Sequence, residues 1–162
     1  METSLITPPT VRNLEEARKQ CLEYDAVLTA GPSKDEVSDF NHPIHKVVQF
    51  SDTMHETSGG PTLEDVIELI EFGAGVPKLL VHCHAGISRS TATAWGVSIA
   101  NGNDPLQAFL HLQDKHPEEK GYFGQGQRPF APNVLIVKHL DTYFNLGTTL
   151  LEIRHKYSRR GW

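Results

Sequence analysis

The sequence predicts an α/β domain on a central, mainly parallel sheet flanked by helices, and three observations carry that expectation. Short apolar runs at Ala26-Val27-Leu28-Thr29, Lys46 to Phe50 and Leu79-Leu80-Val81 alternate with segments of helical period, a pattern of strand–helix repetition rather than of a bundle or a sandwich. The run Leu79 to Val81 is apolar at every position, as in a strand covered on both faces. Cap residues stand before the periodic segments and glycines after them.

The elements follow in chain order. Residues 12–22 read as a helix leading into the strand at 26–29. A second strand spans Lys46 to Phe50 and ends at Ser51-Asp52, where a polar, glycine-containing loop begins and runs to Pro61. Thr62, with Asp65 three residues on, has the form of a capping box. Leu63, Val66, Ile67 and Ile70 then recur at helical spacing and form the face that packs on the sheet. Gly73, Gly75 and Pro77 end that helix ahead of the apolar strand. After a loop, a helix extends from about Arg89 to Ala100 and is closed by Asn101-Gly102. Asp104-Pro105 opens the next, with Leu106, Phe109 and Leu110 on one face. Residues 117–131 hold three glycines and two prolines and read as a long loop. Pro132 opens a helix carrying Val134, Ile136, Val137, Leu140 and Phe144; Gly147 breaks it, and Thr149-Leu150-Leu151-Glu152 caps a short terminal helix.

Composition bounds the function. With 162 residues, 38% hydrophobic and 22% charged, the chain reads as one domain over 1–162, its core at about 25–145 and a C-terminal extension at 147–162. No apolar stretch is long enough to cross a bilayer, and the N-terminus lacks the features of a signal peptide. Two cysteines, Cys21 and Cys83, cannot make a disulfide framework, so a reducing cytoplasm is the expected location. The net charge of −5 argues against nucleic acid as a partner, and no membrane association is expected.

The segment His82-Cys83-His84-Ala85-Gly86-Ile87-Ser88-Arg89-Ser90-Thr91 concentrates the chemistry. It lies between an expected strand and an expected helix, where backbone N–H groups and the positive helix end surround a small concavity suited to an anion. His84 to Arg89 would line it. The helix end and Arg89 both favour the thiolate of Cys83, a competent nucleophile toward phosphorus. Arg89 can fold back across the loop and grip two phosphate oxygens with its planar fork. Gly86 lets the loop bend tightly, and Ser90 can offer its hydroxyl to the sulfur as it leaves. A carboxylic acid must protonate the departing oxygen; Asp52, at a strand end, is the first candidate, and Glu56 the second. Asp65 belongs to the first turn of its helix. No metal or cofactor is needed.

These residues resemble the His-Cys-x5-Arg-Ser/Thr signature of the cysteine-dependent protein tyrosine phosphatases, and the ending Ala-Gly-x-Ser-Arg-Ser resembles their dual-specificity branch. Arg128-Pro129-Phe130-Ala131-Pro132-Asn133 is similar to the Arg-Pro-x-x-x-Pro-Asn segment of that branch. The resemblance covers roughly residues 25 to 145. It implies a sheet of about four or five strands flanked by helices, a cysteinyl-phosphate intermediate, Asp52 as general acid, no cofactor, and a phosphorylated protein or other phosphomonoester as substrate. It also implies that Asn133 bonds to the phosphate loop, although Asn133 equally fits a helix start; His82 is expected to hold the cysteine loop by side-chain hydrogen bonds. Two departures stand out: Phe50-Ser51-Asp52 replaces a tryptophan-led acid loop, and Lys120 to Gln127 forms a longer connection than usual.

Other readings compete. A phosphatase for small-molecule, lipid or RNA 5′-phosphates would use the same loop, but no lysine lies between Cys83 and Arg89. A non-catalytic phospho-binding module, a sulfur transferase, and a zinc site using His82 and His84 are further alternatives; for zinc, no second ligand pair with metal spacing is present. Gln125 and Gln127 either face the pocket or decorate a solvated turn, and the basic tail from Arg154 to Arg160 either complements a helix end or docks an anionic partner.

Overall fold

The computed structural model describes residues 7–116 and 130–158. Among these residues four strands, β1 (Thr10–Arg12), β2 (Ala26–Gly31), β3 (His45–Gln49) and β4 (Leu79–His82), form a sheet in the order β1-β4-β2-β3, and every pairing is parallel. The central pair, β2 and β4, is buried at every position, which is why their sequences run apolar without alternation. The outer strand β3 is only partly covered.

Among the described residues, six helices flank the sheet: α1 (Leu14–Gln20), α2 (Leu63–Gly73), α3 (Arg89–Ala100), α4 (Pro105–Lys115), α5 (Val134–Tyr143) and α6 (Thr149–Tyr157). Helix α1 and the segment carrying Val37 and Phe40 cover one face, packing on Val27 and Leu80. The other helices share the larger core, centred on α3, whose residues Arg89 to Ser98 are all buried. Trp95 is wholly buried there and donates from Nε1 to the Pro105 carbonyl at 2.9 Å; Phe109 meets it edge-on, and Phe130 meets Phe109 in turn. Side chains such as Phe109, Leu28 and Leu69, all fully buried, each contribute about 1.5–3 kcal/mol when removed from water.

Thr62 caps α2 with the expected reciprocal bonds to Asp65, and Asp104 caps α4. Several expectations need correction. Residues 12–22 are not one helix: Arg12 closes β1, Asn13 caps α1 in a capping box with Glu16, and Cys21 and Leu22 lie in a turn of 3-10 helix. The buried face of α2 uses Leu69, with Leu63 and Ile67 only partly covered. On α4 the inward stripe is Ala108, Phe109 and Leu112, which turns Leu110 out to solvent. Pro132 precedes α5 rather than opening it, and Asn133 is its cap.

Helix α6 belongs to the main core, with Leu150 wholly buried. Thr149, expected as its cap, is the first residue of the helix, and Thr148 before it makes no side-chain cap. Instead Asp141, on α5, accepts from the amides of Leu150 at 2.8 Å and Leu151 at 3.1 Å, using both carboxylate oxygens. No helix among the described residues is long and apolar enough to cross a membrane.

Candidate active site

Strand β4 delivers Cys83 to the C-terminal edge of the sheet, and α3 begins at Arg89. The intervening turn is fastened from two sides. The Leu14 amide donates to the His84 carbonyl at 2.9 Å, and the amides of Ala131 and Asn133 donate to the carbonyls of Ile87 and Ser88 at 3.1 and 3.0 Å. Thr91 adds a hydroxyl bond back to Ile87. Gly86 takes a φ of 71° against the backbone of Arg12 and Asn13, where a side chain would meet the Asn13 nitrogen at 2.9 Å; only glycine satisfies both demands.

Within this loop Cys83 is 2% exposed. Its Sγ accepts from the Gly86 amide at 3.3 Å and lies 3.1 Å from Ser90 Oγ on the first turn of α3. Arg89 is buried, and Nη1 donates to the Phe50 carbonyl at 2.9 Å, tying the guanidinium to the end of β3. Arg89 Nε is buried with no hydrogen-bond partner among the described residues. An unsatisfied charged donor in such a place is costly unless an acceptor arrives, and an anion held by the loop is the natural one. Arg89 and His84 line an open cavity together with Gly31, Ser33, Glu36, Phe50 and Ser51.

Asp52 is exposed at the edge of the loop. Its Oδ1 accepts from Ser88 Oγ at 2.8 Å and from Asn133 Nδ2 at 2.9 Å. Both donors use the same oxygen, so a proton on this carboxyl would sit on Oδ2. Asn133 serves two structures at once, since its Oδ1 accepts from the Ile136 amide at 2.9 Å and caps α5. Glu56 instead begins a turn of 3-10 helix, and Asp65 is committed to the cap of α2.

The two loop histidines diverge. His82 is wholly buried; its Nδ1 faces the Cys83 carbonyl at 3.0 Å and its Nε2 the Thr29 hydroxyl at 2.7 Å. Burial pushes its imidazole down to about 4, the Cys83 carbonyl only partly opposing it. His84 Nε2 lies 2.9 Å from Glu36 at the cavity wall. Glu36 sits below the usual carboxylate range, first because the Ser33 amide donates to it, with His84 and Arg89 adding to that effect. Among the described residues no cluster of three or more His, Cys, Asp or Glu is arranged to hold a metal.

The chain is similar to solved structures of phosphatases at low sequence identity. A mutant form of Tk-PTP superposes with a TM-score of 0.52 at 18% identity, covering 85% of this chain and 90% of the other. PTPMT1 gives 0.53 at 16% identity, covering 90% and 92%. This is the protein tyrosine phosphatase fold. Neither a protein-family model nor a curated protein matches the sequence.

In this phosphatase fold, Cys83, Gly86, Ser88, Arg89, Ser90, Asp52, Asn133 and His82 are brought to one end of the sheet, joined by the contacts above. Four other participants escaped sequence reasoning. Gly31 touches the Arg89 guanidinium, Phe50 supplies only a carbonyl, Glu36 pairs with His84, and Thr29 faces His82. Each acts through tertiary proximity or backbone atoms, and no local motif marks them. Gln125, Gln127, Arg128 and the Lys120 to Gln127 connection lie outside the described residues, as does the tail beyond Ser158.

Proposed function

We propose that this chain is a phosphoric monoester hydrolase of the protein-tyrosine-phosphatase type, working through a cysteinyl-phosphate intermediate on phosphorylated proteins. One observation carries the reading: a sulfur that accepts a loop amide shares the 83–89 loop with a buried arginine whose Nε lacks a partner among the described residues. The phosphate of the substrate enters the loop of residues 83–89, where backbone N–H groups and the Arg89 fork receive its oxygens. Cys83 Sγ attacks phosphorus as the ester oxygen leaves, and Asp52 gives that oxygen its proton from Oδ2. Water, deprotonated by the same carboxylate, then breaks the S–P bond, and the Ser90 hydroxyl 3.1 Å from Sγ donates to the departing thiolate. His82 sits behind the nucleophile and Asn133 beside the acid as positioning residues. The similarity to phosphatase structures supports the reading through the fold; the residue roles rest on the chemistry of the loop. The expected location is the cytoplasm.

The test is hydrolysis of para-nitrophenyl phosphate in EDTA. Wild type is expected to turn over, Cys83→Ser to be inactive, and Asp52→Asn to lose about 100-fold in kcat. An inert wild type, or activity surviving in Cys83→Ser, would overturn the mechanism. In that case labelling of Cys83 by iodoacetate, with or without inorganic phosphate as protectant, separates a binding loop from an inert one.

A further inference from the structure

Behind the loop, three side chains form a line, of which the reaction scheme uses only the inner one, His82. The Thr29 hydroxyl lies 2.7 Å from His82 Nε2 and 2.7 Å from His45 Nε2. Sheet register assembles them: Thr29 on β2 is the partner of His82 on β4, and His45 begins the neighbouring strand β3. The ring of Phe40 stacks on both imidazoles, with centroids 5.1 Å from His82 and 5.4 Å from His45. Thr29 and His82 are fully buried while His45 is half-buried, so the line has one outer end.

Counting protons gives the line a direction. A carbonyl only accepts, so His82 Nδ1 carries the hydrogen it directs at the Cys83 oxygen. Burial keeps the ring neutral, which leaves Nε2 bare and able only to accept. The single Thr29 hydrogen must therefore point to His82, and the Thr29 oxygen must accept from a protonated His45 Nε2. Two rings both protonated at Nε2 would leave the hydroxyl hydrogen without an acceptor. The titratable and charged groups acting on the two rings are His42 on His45, and His45, His84 and Arg18 on His82.

We propose that His45 is a positioning residue: its Nε2–H, relayed by Thr29, fixes His82 as the Nδ1–H tautomer that holds the Cys83 backbone. The kinetic arm of the test rests on the phosphatase reading; the tautomer arm does not. An outer-layer donor of this kind acts by orienting the group in front of it, as second-layer partners of ligating histidines do. The variants compare donor with acceptor at nearly one shape. His45→Gln can still donate to Thr29, whereas His45→Glu at neutral pH can only accept and forces the hydroxyl to turn around.

Nitrogen-15 NMR of the wild-type imidazoles is expected to show His82 protonated at Nδ1 and bare at Nε2. His45→Gln should keep that pattern and stay within about twofold of wild-type kcat on para-nitrophenyl phosphate, while His45→Glu should lose about tenfold in kcat at unchanged KM. In the glutamate variant His82 should gain a proton at Nε2. The adjacent imidazolium should then shift the pH midpoint of Cys83 alkylation by iodoacetate downward. An Nε2–H signal for His82 in wild type overturns the proposal, as does a matching His82 tautomer and alkylation midpoint in the two variants. If wild type hydrolyses no phosphate ester, the phosphatase reading fails, while the NMR and alkylation measurements still decide the relay.

Discussion

Gly31 shows how much a single missing side chain can carry. It ends β2 with a φ of 116°, and a Cβ placed there would lie 2.2 Å from Arg89 Nη1 and 2.5 Å from Cζ. The guanidinium therefore occupies the space that any other residue would fill, and the bond from Nη1 to the Phe50 carbonyl fixes it there. Gly31→Ala must either push the guanidinium away or move the end of β2. A non-glycine residue at that φ costs about 1–3 kcal/mol, less than the roughly 5–15 kcal/mol by which domains are usually stable, so the domain is expected to stay folded. On the proposed mechanism the grip of Arg89 on phosphate should fail, and kcat/KM for para-nitrophenyl phosphate should fall by about 100-fold, as for loss of an oxyanion donor. Steady-state kinetics alongside a thermal melt check this: a folded Gly31→Ala protein with wild-type kcat/KM would show that Arg89 does not bind phosphate from this position.

At the scale of elements, one side chain at the start of α5 joins stability to chemistry. Asn133 caps the helix through Oδ1 and restrains Asp52 through Nδ2, so a plain truncation mixes two effects. Serine separates them, since its hydroxyl caps helices well but is too short to span to Asp52. Asn133→Ser is expected to retain stability within about 0.5 kcal/mol and to lose about tenfold in kcat with an altered pH profile. Asn133→Ala should add a stability loss of about 1 kcal/mol. Urea melts and pH–rate curves of the pair provide the check, and equal kcat in wild type and Asn133→Ser would remove the positioning role. The caps that involve neighbours along the chain, Thr62 with Asp65 and Asp104 ahead of Pro105, are legible in the sequence because donor and acceptor stand three residues apart. The cap of α6 is not: Asp141 reaches it from another helix, and no local pattern encodes that. Strand β1 escapes for a different reason, its three residues being too few to show a period. The Leu79 to His82 strand and the α3 start at Arg89 are readable because an unbroken apolar run and the Cys83 to Arg89 motif delimit them.

For the whole molecule, the same sheet that presents the loop also buries a titratable group behind it. The fold class is visible in alternating apolar and periodic segments, and the Cys83 to Arg89 end of the site in its motif. The burial of His82 is not, because it depends on β2, β3 and Phe40 closing over the ring. That burial makes a statement about stability. The imidazole, ordinarily near 6.5, stands at about 4 in the folded protein, so the unfolded chain takes up a proton that the native state refuses. The native state thus holds this contribution fully above pH 6.5 and loses it as pH falls toward 4. Between pH 7 and pH 5 the loss amounts to about 2 kcal/mol. Other groups titrate in the same window, so the comparison must be with His82→Gln, which lacks the ionisation but keeps the size and polarity of the site. Wild type is expected to be the more stable at pH 7, and its advantage should shrink by about 2 kcal/mol on going to pH 5. Urea denaturation of both proteins at the two pH values measures this directly. A gap that stays constant would mean that His82 takes up its proton in the folded state as readily as in the unfolded one, and that the neutral ring facing the Cys83 carbonyl is not the species present.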